Sequence, residues 1–244
     1  MSAITPNPAS PVFVTTHWSL VLAASGSGAA ASDALATLCQ TYWYPLYAYV
    51  RRRGHAPEDA QDLVQGFFAR LLARNWIDRA DRQRGRFRSF LLGAMNHFLA
   101  DEWDKVRAQK RGGGVTVLPL EFDTAETRFS REPADTTTPE QIFERRWALA
   151  LLEQVLNQLR DEYAQAGRGE LFALLHPSLV GDHSGQSYAE VAERLGTTEG
   201  TVKSAVHRLR QRYRQRLRDE IANTVARKED IEDELQHLFA VLAR

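Results

Sequence analysis

Thr198 to Arg210 gathers the residue types that recognise a nucleic-acid duplex. Laid on a helix, Val202, Val206 and Leu209 share one side, while Thr201, Lys203, Ser204, His207, Arg208 and Arg210 share the other. Hydroxyl, ammonium and imidazole groups near a helix N-terminus can meet base edges in a major groove, and arginines beside them can meet phosphate. A good base contact of this kind contributes ~1–3 kcal/mol of discrimination. Thr198 is placed to cap the helix and Glu199 to begin it, near enough to the N-terminus to share the surface.

A second helix must hold that surface outward. Ser187 followed by Glu190 is a capping box, in which the hydroxyl accepts from the third amide and the carboxylate reaches back. A two-turn helix over Tyr188 to Leu195 follows. Ala192, Gly196 and Val202 then fall at the spacing of a helix-turn-helix. Ala192 is small where the second helix crosses, Gly196 supplies a turn conformation other residues resist, and Val202 buries against the first helix. The duplex-reading helix is expected to end near Arg212. A solvated helix pair is the competing interpretation, against which spacing, caps and charge count together.

The chain upstream also reads as helix, with almost no period-two alternation. Thr16-His17-Trp18-Ser19 could open a first helix, with Trp18, Val21 and Leu22 on one face. A second is expected from Asp33 to Arg53, kinked or split at Pro45. Pro57-Glu58-Asp59 opens a third that runs to about Arg74, its acids facing the positive end of the macrodipole. An Arg-rich loop precedes a fourth from Phe87 to Ala108, closed by Gly112-Gly113-Gly114. Residues 115–139 lack periodicity and read as a linker. Beyond it, Ile142, Trp147, Leu151, Val155, Leu156 and Leu159 form a helical apolar stripe.

Net charge is zero, from 31 Lys and Arg against 31 Asp and Glu, but the charges segregate. Residues 82–111 hold eight basic and three acidic side chains, as do residues 184–218. Residues 119–144 hold two basic and seven acidic, and residues 219–244 three and seven. Two basic blocks, each followed by an acidic segment, suggest two polyanion-binding surfaces. Solvated helix faces are the plainer alternative.

Three blocks in order carry a resemblance to a known family. The run Tyr44-Pro45-Leu46-Tyr47 with Pro57-Glu58-Asp59-Ala60-Gln61-Asp62-Leu63-Val64-Gln65 resembles the polymerase-binding helices of the extracytoplasmic-function sigma factors, a branch of the sigma-70 family. Gly85-Arg86-Phe87-Arg88-Ser89-Phe90-Leu91-Leu92, Asn96 and the basic end Lys105 to Arg111 resemble that family's −10 promoter segment. Ser187 to Ala192 and Gly200 to Ser204 resemble its −35 domain. Thr16-His17-Trp18-Ser19 resembles a form abundant in planctomycetes.

The resemblance implies an all-α fold of two helical domains joined by an acidic linker. Residues 1–15 form a disordered lead, 16–111 the first domain, 112–138 the linker, 139–218 the helix-turn-helix domain and 219–244 an acidic amphipathic extension. It implies that Asp59, Asp62 and Gln65 meet the clamp of the large subunit of core RNA polymerase. Gly66 is a departure, since family members usually carry an acid there, and it keeps open a reading as an inactive sigma-like adaptor. For the −10 element it implies Asn96 on a flipped base. Trp103 is a candidate for base stacking or for helix packing. Arg86, Arg88, Arg107, Lys110 and Arg111 are candidates for phosphate. The linker is expected to thread the polymerase cleft, or to serve as a plain tether.

In the tail, Ile231, Leu235, Leu238, Phe239 and Leu242 form an apolar stripe opposite Glu232, Asp233 and Glu234. Two readings arise, packing against its own domain or covering a basic surface. The expected partners are polymerase and promoter DNA, with an anti-sigma factor or a Ser/Thr kinase, acting at a site such as Thr41, as further possibilities. No cofactor, metal or membrane contact is expected, and the expected location is the cytoplasm. The seven histidines do not pair at metal-ligand spacing, Cys39 stands alone, and no Walker loop, dinucleotide fingerprint or serine elbow is present, so an enzyme is not expected. A stand-alone helix-turn-helix regulator is the alternative function; it would need a dimer interface, and no long heptad run supplies one.

Overall fold

The structure is a computed structural model that describes residues 29–73, 86–108, 125–130, 137–179, 187–225 and 227–243. The expected helix at Thr16–Ser19, the Arg-rich loop before Arg86 and most of the expected linker lie outside those residues. Every regular element among them is helical, in agreement with the sequence.

Helix α1 (Ala29–Arg52) runs through Pro45 as one element, so the expected split is not found. A proline inside a helix costs ~3 kcal/mol or more. Tyr42, Leu46, Tyr49 and Val50 are buried around it. Each such side chain returns ~1.5–3 kcal/mol on burial, so the packing outweighs the defect. Helix α2 (Pro57–Ala73) starts on Pro57 with Glu58 and Asp59 in its first turn, as expected. Its buried face is Val64, Phe67, Phe68 and Leu71. Helix α3 (Phe87–Ala108) buries Phe87, Leu91, Met95 and Phe98 against the same core.

Gly66 belongs to that packing. A Cβ at this position would stand 3.3 Å from the Phe98 ring, closer than ordinary contact allows without a shift. A side chain here would therefore require the Phe98 ring to give way.

A short helix, α4 (Ala125–Phe129), lies inside the segment read as linker, and it is docked rather than free. Glu126 accepts from the Tyr47 hydroxyl at 2.7 Å and from Arg51 through both carboxylate oxygens, at 3.0 and 2.7 Å. Arg51 holds the Glu126 carboxyl below the usual carboxylate range, and burial is the first cause that pushes the Tyr47 phenol up to about 12. The Arg51 guanidinium also lies 4.8 Å from the Phe129 ring centroid.

Helix α5 (Pro139–Gln165) begins with a capping box between Thr138 and Gln141 and is the spine of the molecule. Phe143, Trp147, Leu151 and Val155 join the core of α1 to α3, whereas Leu159 joins a second core. That second core also takes α6 (Gly169–Leu175), α7 (Tyr188–Arg194) and the start of α8 (Glu199–Thr224). Helix α8 continues well past Arg212, where the sequence reading ended it, because Tyr213, Leu217 and Ile221 extend its apolar stripe into the first core. Packing therefore crosses the expected division at residues 112–138, and the expected boundary at Arg218 falls inside a helix.

The final helix, α9 (Ile231–Leu242), packs on α5 and α8. Its buried face is Ile231, Glu234, Leu238 and Val241. Two sequence expectations change here. Glu234, expected on the polar face, is fully buried, and Phe239, expected in the apolar stripe, is 56% exposed.

Candidate nucleic-acid interface

The helix-turn-helix forms from local signals. Ser187 Oγ accepts from the Glu190 amide at 3.2 Å, and Glu190 Oε2 accepts from the Ser187 amide at 2.7 Å. Gly196 takes a φ of +59°, where a side chain would be strained. Its turn is closed by the Thr197 amide donating to the Ala192 carbonyl at 2.9 Å. Val191 and Ala192 of α7 then meet Val202, Val206 and Leu209 of α8 in the second core. With the inner face so occupied, α8 is fixed in rotation about its axis.

Thr198, Glu199, Thr201, Lys203, Ser204, His207 and Arg208 are all exposed, so the outward set expected from sequence is brought together. Thr198 Oγ1 accepts from the Thr201 amide at 3.2 Å and caps the helix. Lys203 and Glu199 pair at 2.8 Å across one turn, which raises the Lys203 pKa. Arg210 departs from the set. It is half-buried and donates to the Ser178 carbonyl at 2.8 Å, tying the single 3₁₀ turn after α6 to α8. Further along, Arg212 and Arg216 both pair with Glu162 of α5. The basic block of α8 therefore divides into an open N-terminal part and a part used to brace the helix.

In the first half of the chain the same division holds. Asp59 and Asp62 are exposed on α2, and Gln65 is half-buried beside them. Asn96 is exposed and Trp103 is 61% exposed, two helical turns further on the same face of α3. Trp103 is thus not a core residue. Arg88 is 3% exposed: it pairs with Glu234 and Glu144 and lies 5.0 Å from the Trp147 ring centroid. Arg86 pairs with Glu234 at 2.8 Å. Arg88 is closed to a phosphate in this arrangement, while Arg86, its side chain 35% exposed, is engaged through Nε. The Arg107 side chain, Lys110 and Arg111 lie outside the described residues.

Two residues that the sequence reading missed hold Asn96. Its Oδ1 accepts from the Tyr49 hydroxyl and from Arg53 Nη1, each at 2.5 Å, and Arg53 Nη1 also reaches the Tyr49 hydroxyl at 2.9 Å. Arginine can only donate, so the oxygen of Asn96 must face it and the amide NH₂ must face away. No periodicity joins Arg53 to Asn96; only the fold brings them together.

Other candidates are placed against the expected chemistry. Thr41 is 8% exposed and its hydroxyl donates to Gln154 at 3.3 Å, so it offers no open acceptor to a kinase in this conformation. Cys39 is buried, and burial pushes its thiol up to about 12, away from nucleophilic chemistry. Among the described residues, no cluster of three or more His, Cys, Asp or Glu could hold a metal ion, and no helix is long and apolar enough to cross a membrane.

Residues 184–212 match the family model for sigma-70, region 4. The match spans α7 and the first half of α8 with its outward face, and it supports membership of the sigma-70 family and a role in promoter recognition. No curated protein and no solved structure matches the chain.

Proposed function

We propose that the chain is a sigma factor of the extracytoplasmic-function type, which binds core RNA polymerase, directs it to promoters in the cytoplasm and has no catalytic centre of its own. The observation that carries this reading is the outward face of α8, held open by a fully packed inner face within the segment that matches sigma-70 region 4. Asp59, Asp62 and Gln65 supply an acid-and-amide ridge for a basic, polar partner surface on the polymerase clamp. Asn96 and Trp103 supply a face of α3 for the −10 element, where a base stacked on tryptophan contributes ~1–3 kcal/mol. Lys203, Ser204, His207 and Arg208, with Thr198, Glu199 and Thr201 at the helix start, supply the −35 contact. An anti-sigma factor would fit over either open face.

Run-off transcription on a genomic promoter library, with core polymerase and the full chain, tests the proposal. Discrete transcripts that need both proteins support it; transcripts no different from those of core polymerase alone contradict it.

The clamp on Asn96 refines the expected base preference. With Oδ1 held by Tyr49 and Arg53, the amide presents donors only, so the position it meets should favour a base edge that presents acceptors. Arg53→Met frees the amide to rotate. Transcription from a library randomised across the −10 element should then lose preference at one position, by ~1–3 kcal/mol of discrimination, with other positions unchanged. An unaltered preference at every position would show that Arg53 does not orient the amide.

A further inference from the structure

Glu234 is a fully buried carboxylate on an otherwise apolar helix face, and it is directed at two arginines more than a hundred residues away in sequence. Its Oε1 accepts from Arg88 Nε at 2.7 Å, and its Oε2 accepts from Arg88 Nη2 at 3.2 Å and Arg86 Nε at 2.8 Å. Two acceptor-only oxygens thus meet three guanidinium nitrogens, which is the arrangement the two free oxygens of a phosphodiester would adopt. The remaining reach of Arg88 is taken by Glu144 of α5, whose other oxygen meets His237 of α9. Asp230, one residue before α9, adds a further negative charge that interacts with Arg86.

We propose that Arg86 and Arg88 form a phosphodiester-binding site and that Glu234 occupies it in the free protein. The acidic tail is then an internal competitor: α9 lies where Arg86 and Arg88 would take DNA, while Asn96 and Trp103 on the same helix are exposed. Binding of DNA to this site requires α9 to leave it. Helix α9 is a short amphipathic element of 12 residues, so what its departure exposes is confined to one face. Retention of the closed form depends on the balance between burying Ile231, Leu238 and Val241 and admitting a phosphate to the arginines. The inference rests on the reading of α3 as a DNA-facing element. It is separable from the sigma reading because its readout needs no polymerase.

The test uses the full chain and a fluorescein-labelled, promoter-unrelated DNA duplex, with anisotropy measured across a salt series. Glu234→Gln keeps the shape and removes the charge. Binding should tighten by about threefold or more, as expected when a competing closed state is depopulated. The slope of log affinity against log salt should steepen by about one to two units, one for each phosphate gained. Arg86→Gln in the same background should cancel part of the gain. Unchanged or weaker binding by a folded Glu234→Gln protein overturns the proposal, since a purely structural ion pair can only lose by the change. Should the variant fail to fold, hydrogen exchange on the unaltered protein decides. Saturating duplex should speed exchange over residues 231–242, and unchanged or slower exchange there overturns the proposal. Loss of transcription alongside tighter DNA binding would count against the sigma reading and leave the internal competitor standing.

Discussion

Reversing two charges, Asp59→Arg with Asp62→Arg, is expected to abolish core-polymerase binding and with it all promoter-directed transcription. Both carboxylates are exposed on α2 and project away from its core of Val64, Phe67, Phe68 and Leu71. Asp59 stands in the first turn, where an acid facing the macrodipole contributes ~0.3–1 kcal/mol, and Asp62 lies beyond that turn, where the effect falls off. A stability loss of that size leaves the fold intact. The interfacial cost is larger, because a surface selected for acids would meet two guanidinium groups, and a like-charge juxtaposition costs several kcal/mol. An affinity loss of ~10²-fold or more follows. Binding of a −35 duplex by α8 should be unchanged, since the ridge and the reading helix share no side chain. A stand-alone regulator would transcribe or repress as before. Co-elution with core polymerase, followed by duplex binding without it, separates the two readings.

Trp147→Ala is expected to lower stability by ~3–5 kcal/mol, the range for removing a large aromatic side chain from a packed interior. Trp147 is fully buried on α5, among residues of α1, α3, α8 and α9 that form one core. It also lies under the Arg88 guanidinium. Because α5 and α8 each run through both cores, the loss should appear as one cooperative unfolding transition at a lower urea midpoint. Two separated transitions, with only the first displaced, would show that the halves of the chain fold independently. Leu149 on the same helix is exposed, and Leu149→Ala serves as the control with little change.

The parts of the fold that could be read from the chain are those written in local spacing. The Ser187–Glu190 box, the Gly196 turn, the Thr198 cap and the 202–206–209 stripe each depend on neighbours within about one or two helical turns, and all appear where the residues place them. Thr138 and Gln141 carry the same kind of signal for the start of α5. The parts that could not be read depend on distant partners. Nothing in the periodicity of α1 tells that its burial would carry Pro45 through a continuous helix. Nothing local tells that residues 125–129 dock through Glu126 onto Arg51. The basic block around Arg86 and Arg88 looked solvent-facing because its counter-charges sit on α5 and α9. Glu234 is the exception that had a signal. It lies three residues after Ile231 and four before Leu238, so the spacing already set it on the apolar face. Its charge led to its assignment to solvent, although a buried acid is stable where guanidinium groups pair with it.

Those long-range pairings also set how the two faces work. Arg210, Arg212 and Arg216 brace α8 against Ser178 and Glu162, whereas Lys203, Ser204, His207 and Arg208 are exposed, as the proposed −35 contact requires. At Gly66 a side chain would press on the Phe98 ring, so the glycine there takes part in packing as well as standing beside the proposed polymerase-facing ridge.

The chain, on the proposed reading, gives core polymerase its promoter. Footprinting on one transcribed promoter tests it most directly, comparing the chain alone, core polymerase alone and the two together, with permanganate reporting unpaired thymines. Only the combined reaction should protect both the −35 and the −10 elements and open the duplex near the start site. Protection by the chain alone that polymerase neither extends nor converts to an open duplex would contradict it.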